Sequence, residues 1–488
     1  MFVDSASSSG YHDHAVRFAT LPANIRDQIV GLDEPIPLLD GTTRPAINFD
    51  NAASTPVLRP VLDTVTQFTA WYSSVHRGTG FKSQLSTRVY EEAREIVGQF
   101  FGADPEQHVV IFGKNTTDAI NKLARRIPFK PDDVVLLSLQ EHHSNDLPWR
   151  AAAKVVHIKC DAEGRLDEAH YATLLRTYGR RVRLVAIGGG SNVTGGIAPI
   201  HRMAEQAHAV GAEIFVDCAQ LAPHRGIQIG SLNDPAHLDY IAISGHKLYA
   251  PFGTGALIGR RDTFDQGTPD SVGGGTVKTV TTTSVTWAPT PDRDEAGSPN
   301  VVGAVALAAA LQWLTEVGMD AVAAHEAELT AHALERFSQI PGLCLYGGRS
   351  ASEASTRLGV LPFSIEGMSH KQVAAILSAE WGIAVRSGSF CAQPYLRHTL
   401  GLSEDELNCG EDAAKQSRPA SAGLVRVSFG VYNTIEEVDT LADALEAIAG
   451  GRFQGVYVQD AETGEVWPEG WTPPTAEYFS LKQPTLAL

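Results

Sequence analysis

Short apolar runs that alternate with helical stretches constrain the fold of this chain more than any other sequence feature. Between Pro199 and Gly211, apolar residues recur at helical spacing, which predicts a helix leading directly into the next run. Strands that alternate with helices predict βαβ units and a mostly parallel sheet, so we expect an α/β fold. The runs that predict strands lie at residues 134–139, 155–158, 182–187, 214–216, 240–243 and 256–258.

The rest of the chain predicts four parts. Residues 1–45 form an N-terminal arm, 46–300 a large domain that is mainly helical up to about residue 130, 301–450 a smaller domain, and 451–488 an irregular tail. The Gly/Thr/Pro-rich residues 265–298 predict a long loop with one exposed strand, and residues 396–422, which include Cys409, a polar surface insertion. The apolar run 301–311 predicts a core helix, since it is too short to span a bilayer.

Charge and cysteine content exclude several classes of partner. The chain has 39 Lys and Arg against 56 Asp and Glu, a net charge of −17, which disfavours nucleic acid and anionic membranes as partners. The five cysteines are widely spaced and form no zinc-binding pattern, so we expect no metal and a reducing compartment. The first fourteen residues lack the pattern of a signal peptide, and we expect a cytoplasmic protein.

Two predicted strands end at residues that carry chemistry, where ligands of open α/β sheets bind. Ser244, His246 and Lys247 follow one strand, and a desolvated lysine there has the lowered pKa that Schiff-base chemistry needs. Asp217 ends another strand, where its carboxylate suits a pyridinium N–H. The alternatives are a surface lysine in a Gly-rich turn and an acid paired with an ordinary donor.

Two further segments predict binding groups. Residues 113–118 open a helix, and the free N–H groups and hydroxyls there suit an anion, although an ordinary helix cap is the alternative. His142 and His143 follow a strand, where an imidazole is placed to stack on an aromatic cofactor and to move protons. A plain polar loop is the alternative there, and no third ligand lies nearby for a metal.

The second half of the chain adds a thiol and a buried cation. Cys391 lies in a Gly/Ser loop after Arg386, where it is either a nucleophilic thiol or a buried small hydrophobe. Arg426 interrupts an apolar run, and its guanidinium either binds a substrate carboxylate or forms an internal salt bridge. Together these residues form one consistent set of chemical groups, unless their co-occurrence is a coincidence.

At these residues the chain resembles the cysteine desulfurase/selenocysteine lyase family, within the class V aminotransferase-like, fold-type-I pyridoxal phosphate enzymes. The resemblance implies a large domain with a mostly parallel seven-stranded sheet flanked by helices, a smaller α+β domain, and a homodimer. It runs from about residue 48 to 450 and includes NFDNAASTP (48–56), VHRGTG (75–80), NTTDAIN (115–121), EHHSNDLPW (141–149), SNVTGG (191–196), VDCAQ (216–220), SGHKLYAPFGTG (244–254), EAGSPN (295–300), RSGSFCAQP (386–394) and RVSFGVYNT (426–434).

The resemblance also implies a role for individual residues. Lys247 attaches pyridoxal 5'-phosphate, Asp217 pairs with the ring nitrogen, and Cys391 takes the sulfur. The implied ring contacts are Gln220 and His142, and His142 is also catalytic. Phosphate contacts are implied for Thr116, Thr117, Ser244 and His246, with Thr276 reaching the phosphate of a neighbouring subunit. Substrate contacts are implied for Asn192, Arg426, Arg386, Asn51 and His76.

The function that the resemblance implies is conversion of L-cysteine to L-alanine, with sulfur held on Cys391 as a persulfide and passed to an acceptor protein. Family members also perform related reactions, so a C–S lyase, selenocysteine lyase, epimerase or aminotransferase acting on another amino acid is the alternative. A third hypothesis is a non-catalytic cofactor-binding protein. The presence of both Lys247 and Asp217 argues against it, because such a protein need keep neither.

Overall fold

The architecture comes from a computed structural model, which describes residues 20–76, 78–161, 163–402, 422–461 and 463–482. Its helices are α1 (Arg59–Thr69), α2 (Phe81–Phe100), α3 (Thr116–Arg126), α4 (Leu147–Ala152), α5 (Glu168–Tyr178), α6 (Ile200–His208), α7 (Arg261–Asp265), α8 (Val301–Val317), α9 (Met319–Phe337), α10 (His370–Trp381), α11 (Gln393–Leu400), α12 (Ile435–Ala449) and α13 (Thr475–Tyr478). Its strands are β1 (Pro35–Pro37), β2 (Thr43–Pro45), β3 (Ile47–Asn48), β4 (His108–Gly113), β5 (Val134–Ser138), β6 (Lys154–Ile158), β7 (Val182–Gly188), β8 (Glu213–Asp217), β9 (Tyr240–Ser244), β10 (Gly255–Arg260), β11 (Val277–Val280), β12 (Val285–Trp287), β13 (Leu343–Leu345), β14 (Val360–Ile365), β15 (Ile383–Ala384), β16 (Arg386–Gly388), β17 (Leu424–Ser428), β18 (Tyr457–Gln459) and β19 (Val466–Pro468).

A seven-stranded sheet in the order β4-β10-β9-β8-β7-β5-β6 forms the centre of the fold. Only β10 runs against its neighbours, and β5 to β9 are mutually parallel, as the alternating sequence pattern predicts. All six predicted strands are present. The edge strand β4 was not predicted, because its continuous apolar run does not by itself distinguish a buried strand from a helix segment.

The strands of this sheet are apolar along their whole length because helices cover both faces. Buried side chains of α1, α2 and α6 pack on one face together with α8, and those of α3 pack on the other. The prediction of a core helix at residues 301–311 is therefore confirmed. No single helix among the described residues is long and apolar enough to cross a membrane. One pair, α8 with α9, passes that test only jointly, across a bend of 78°.

A second, antiparallel sheet in the order β13-β14-β17-β16 lies on its own hydrophobic cluster. Side chains of α9, α10 and α12 fill that cluster. The N-terminal strand β3 pairs in parallel with β15 and so joins the chain ahead of α1 to this second layer. The predicted divisions at residues 45, 300 and 450 stay predictions.

Three segments contain more regular structure than predicted. A hairpin of β11 and β12, rather than a single exposed strand, lies in the predicted loop 265–298, and a hairpin of β18 and β19 lies in the tail. The predicted insertion begins inside α11, which buries Tyr395 and Leu396 and ends at Gly401, whose φ is +66°. Residues 403–421, with Cys409, lie outside the described residues.

A histidine pair, His208 and His237, lies at the end of the central sheet where β9 begins, and both rings contact Asp239. Within the described ranges, His208, His237 and Asp239 are the only group of side chains with the composition of a metal site. The two rings are stacked, with their centroids 4.1 Å apart and their planes at 18° to each other. Each Nδ1 faces a backbone carbonyl and each Nε2 faces a different oxygen of Asp239, which suits protons rather than a metal.

The pH dependence of stability provides a test of this arrangement. Burial disfavours the charged form of His208, but its hydrogen bonds to Asp239 and to the carbonyl of Pro235, together with the charge of Asp239, outweigh burial and raise the pKa of His208. A raised pKa stabilises the fold at low pH, and that contribution is lost as pH rises through the folded-state pKa. We expect His208→Gln to lower Tm more at pH 6 than at pH 9, measured by thermal unfolding. His201→Gln on the same helix is the control, and an equal loss at both pH values would contradict the interpretation.

Candidate active site

A cavity of 530 Å³ opens at the carboxyl ends of β5, β7, β8 and β9, where the predicted residues converge. It lies at the strand ends where an open α/β sheet binds its ligand. The predicted site residues that line it are Thr116, Thr117, His142, Asn192, Asp217, Gln220, Ser244, His246, Lys247, Arg386, Cys391 and Arg426.

Lys247 lies in a tight turn directly after β9. The turn requires Gly245, because a Cβ there would lie 2.9 Å from the carbonyl oxygen of Thr254. Burial lowers the pKa of Lys247 to about 8, with Asp217 opposing that shift and Arg426 adding to it. Among the described residues no carboxylate forms an ion pair with this amine, so it is desolvated, and its lowered pKa gives it a larger neutral fraction near neutral pH than an exposed lysine has.

Asp217, the last residue of β8, is the acid of this cavity. Its Oδ1 accepts a hydrogen bond from the backbone N–H of Ala219 at 2.9 Å, and no other described group donates to the carboxylate. Burial raises the pKa of Asp217, whereas that hydrogen bond and Lys247 lower it. A buried carboxylate with a free oxygen is suited to an N–H donor that enters the cavity.

His142 follows β5 as a neutral ring. Its Nδ1 accepts from the backbone N–H of Ser144 at 3.0 Å, which places the proton of the neutral ring on Nε2. Burial, with a smaller contribution from the nearby Lys247, lowers the pKa of His142 to about 4. His142 therefore offers a neutral imidazole with one N–H to whatever occupies the cavity.

Sequence reasoning missed Glu141, which anchors this histidine loop. Its carboxylate accepts from the hydroxyl of Ser138, the backbone N–H of Gly188 at 3.0 Å and the side-chain amide of Asn145 at 2.6 Å. Burial raises the pKa of Glu141 to about 7. An acid directly after an apolar strand was the sequence signal for it, the same signal that pointed to Asp217.

The N-terminus of α3 supplies a group of hydroxyls. The backbone N–H of Thr116 donates to Ser244 Oγ at 2.9 Å, and the hydroxyl of Thr117 is 2.7 Å from that of Ser144. Asn115 caps the helix by accepting from the N–H of Asp118. The ordinary helix cap is therefore present and uses Asn115, while Thr116 and Thr117 line the cavity, and their binding of an anion stays a prediction.

The loop that carries Cys391 is held in an uncommon conformation. Phe390 and Cys391 have φ of +54° and +53°, a region that side chains other than glycine rarely adopt. The backbone carbonyl of Cys391 accepts from the N–H of His143 at 2.7 Å, and that of Phe390 from the side-chain amide of Asn192 at 2.7 Å. Cys391 is exposed, so the alternative of a buried small hydrophobe does not apply to it.

Arg426 lies in the interior of β17 and points into the cavity. Its guanidinium donates to the backbone carbonyl of Asn192 at 2.9 Å and to Asp50 at 3.0 Å. Arg386 forms a second ion pair with Asp50 at 3.0 Å. The internal salt bridge considered as an alternative is therefore present, although Arg426 still lines the cavity.

Three predicted site residues do not line the cavity. The amide of Asn51 is used in hydrogen bonds to Ser428, Asn433 and Tyr432. His76 is exposed, with its ring against Tyr90. Thr276 is buried and donates to the carbonyl of Gly273.

The Gln220 side chain does line the cavity, but its amide donates to the carbonyl of Ala52 at 2.7 Å. The roles of all predicted site residues stay predictions.

Residues 47–441 match the family model of class-V aminotransferases. The chain belongs to this family. It is 34% identical over 417 residues to a cysteine desulfurase of Haloferax volcanii, a match that covers 84% of this chain and 90% of that one. The predicted family is therefore confirmed, as is an enzyme of a pyridoxal phosphate-dependent class.

Solved structures show the same fold. A cysteine desulfurase from Thermococcus onnurineus superposes with a TM-score of 0.76 at 31% identity, covering 89% of this chain and 100% of that one. A cysteine desulfurase from Escherichia coli has a TM-score of 0.71 at 31% identity, covering 88% and 99%. The predicted fold class, including the seven-stranded sheet, is confirmed.

The hydrogen bonds of His143 predict that it positions the thiol loop. Besides its backbone contact to Cys391, its Nε2 accepts from the backbone N–H of Gln393 at 3.3 Å. We expect His143→Ala to loosen the loop and to raise the rate of Cys391 alkylation by iodoacetamide severalfold, followed by peptide mass spectrometry. His398→Ala is the matched control, because His398 contacts Asp161 rather than the loop backbone. An unchanged rate in His143→Ala would exclude the positioning role.

Proposed function

We propose that this protein is a pyridoxal 5'-phosphate-dependent cysteine desulfurase that converts L-cysteine to L-alanine and holds the sulfur on Cys391 as a persulfide. One observation carries the proposal. The same cavity contains a desolvated lysine, a buried acid, a buried arginine and an exposed thiol. The names of the relatives at 34% and 31% identity support the same activity.

The residues of the cavity fit the proposed cofactor. The free oxygen of Asp217 suits a protonated ring nitrogen, and the amine of Lys247 suits an aldehyde. The hydroxyls of Thr116, Thr117 and Ser244 at the start of α3 suit a phosphate. The ring of His142 lies on the same cavity wall and suits stacking on an aromatic group.

The cofactor supplies, when bound, an aldehyde for attachment of an amine and a ring that withdraws electrons from the substrate Cα. The residues of the chain do the rest. Asp217 keeps the ring nitrogen protonated by holding its negative charge beside it. Lys247, as a neutral amine, takes the proton from the substrate Cα, which its lowered pKa permits near neutral pH. His142 presents its Nε2–H to the cavity as a neutral donor.

Cys391 performs the sulfur transfer in this scheme. Its thiolate attacks the substrate sulfur, which forms an S–S bond and breaks the Cβ–S bond of the substrate. The electron pair of the broken bond stays with carbon, and Cβ then takes a proton to become the methyl group of alanine. The proton held by Lys247 returns to Cα, which restores the amino acid and the neutral amine. Overall, one thiol and L-cysteine give one persulfide and L-alanine, so atoms and electrons balance without an external oxidant.

Arg426 and Arg386 are proposed to bind the substrate carboxylate. Both guanidinium groups line the cavity, and Arg426 is 3% exposed, so its charge is scarcely screened. Asn192 connects these arginines to the loop of Cys391. Its backbone carbonyl accepts a hydrogen bond from Arg426, and its side-chain amide donates to the backbone carbonyl of Phe390. A substrate held by the arginines therefore lies next to the loop that carries Cys391.

Exposed side chains support the proposed partners. Large apolar side chains are exposed at Trp71, Tyr72 and Phe81, which suits burial against a second copy of the chain. Thr276 is proposed to act across such a homodimer. The exposure of Cys391 suits transfer of sulfur to an acceptor protein, and we propose that the reaction takes place in the cytoplasm.

Product analysis tests the proposal directly. Purified protein with pyridoxal phosphate, L-cysteine and a reductant is expected to give alanine and sulfide in equal amounts. Pyruvate would instead indicate β-elimination by a C–S lyase. The absence of turnover with L-cysteine, but turnover of another amino acid, would contradict the substrate assignment and favour an epimerase or aminotransferase.

Variants separate the proposed roles. We expect Lys247→Ala to lower the rate of alanine formation by about 100-fold or more, since the general base is lost. Cys391→Ala is expected to keep the cofactor absorbance band and to lose the persulfide, measured by mass spectrometry of the enzyme after one turnover. Cys344→Ala, which removes another exposed thiol, is the control. Full desulfurase activity in Cys391→Ala would disprove its assignment.

A further inference from the structure

Asp50 lies between Arg386 and Arg426, and these two arginines line the cavity. Arg386 in β16 and Arg426 in β17 are directly paired across the two strands, an arrangement in which like charges repel. The Oδ1 of Asp50 is 3.0 Å from Arg426, and its Oδ2 is 3.0 Å from Arg386. One carboxylate therefore compensates two guanidinium groups and leaves the trio with a net charge of one positive unit.

Arg426 is the less well satisfied of the two arginines. It is 3% exposed and its Nε has no hydrogen-bond partner among the described residues, whereas the Arg386 side chain is 50% exposed. Burial lowers the pKa of Arg426 to about 10 even though Asp50 opposes that shift. A buried guanidinium with an unused donor gains free energy from a further carboxylate.

Asp50 is held in place by the backbone around it. Its N–H donates to the side-chain oxygen of Asn48, and it forms a parallel bridge with Ser428, two residues beyond Arg426 on the same strand. Its carboxylate is consequently fixed within reach of both arginines and does not depend on a mobile loop.

We propose that Asp50 competes with the α-carboxylate of the amino acid for Arg386 and Arg426, and so sets how tightly substrate and product bind. The inference rests on the proposed function, in which these arginines receive the substrate carboxylate. Asp50 keeps the two like charges together, but its share of both guanidinium groups reduces what an incoming carboxylate gains. Weak binding of the product amino acid follows, which favours its release.

The test compares L-alanine with L-alaninamide, which lacks the carboxylate. Binding of each to the protein loaded with its cofactor is measured by calorimetry for wild type and Asp50→Asn. We expect the variant to bind L-alanine about tenfold more tightly and L-alaninamide within about twofold of wild type. For L-cysteine we expect a lower KM without a rise in kcat. Asp262→Asn, which removes an exposed partner of Arg260, is the control. It is expected to change neither the binding of the two ligands nor the KM for L-cysteine.

Other results would overturn the inference. Weaker binding of L-alanine in Asp50→Asn, or equal changes for both ligands, would mean that Asp50 only supports the structure. Asp50→Ala provides a second variant, and thermal unfolding shows whether each one is folded. The two proposals fail differently. If Asp50→Asn binds L-alanine but not L-alaninamide more tightly, and L-cysteine is not turned over, only the proposed function is overturned. If L-cysteine is turned over normally and Asp50→Asn binds L-alanine as wild type does, only the role of Asp50 is overturned.

Discussion

The burial of charge at one end of the central sheet is the constraint on which the rest of the structure depends. Lys247, Asp217 and Arg426 are all largely removed from water around one cavity, and each would be costly there alone. Their positions are fixed by strand ends or strand interiors rather than by long loops. The two sheets therefore hold these groups in place and provide the buried, low-dielectric surroundings that shift their pKa values.

The second sheet completes this environment. Arg386 and Arg426 come from β16 and β17, while the lysine and the acid come from the central sheet. Asn192 links the two layers by bonding Arg426 on one side and the backbone of Phe390 on the other. The thiol of Cys391 is thus positioned by contacts to both layers, and its left-handed backbone is maintained by the hydrogen bonds of His143 and Asn192. Chemistry that needs both the amine and the thiol requires the two layers to be packed together.

Sequence reasoning identified the residues whose identity is unusual for their local setting. A lysine after a buried strand, an acid at a strand end and an arginine within an apolar run each stand out without any knowledge of the fold. Roles that depend on contacts between distant segments were not predicted. Asp50 meets Arg386 and Arg426 across more than 300 residues, and His143 meets Gln393 across 250, so no local pattern could reveal these pairs. For β4 the failure was different, because a continuous apolar run suits either a strand or a buried helix.

The net charge of the whole chain does not set the charge around the two arginines. The protein carries a net charge of −17, whereas Arg386 and Arg426 share the single carboxylate of Asp50. An acidic exterior weakens the long-range attraction of anions, so recognition of a carboxylate must come from short-range contacts inside the cavity, where screening is weak. Such contacts depend on how many partners each buried guanidinium already has. The balance of Arg386, Arg426 and Asp50, rather than the overall field of the protein, therefore decides which amino acids are retained and how readily they leave.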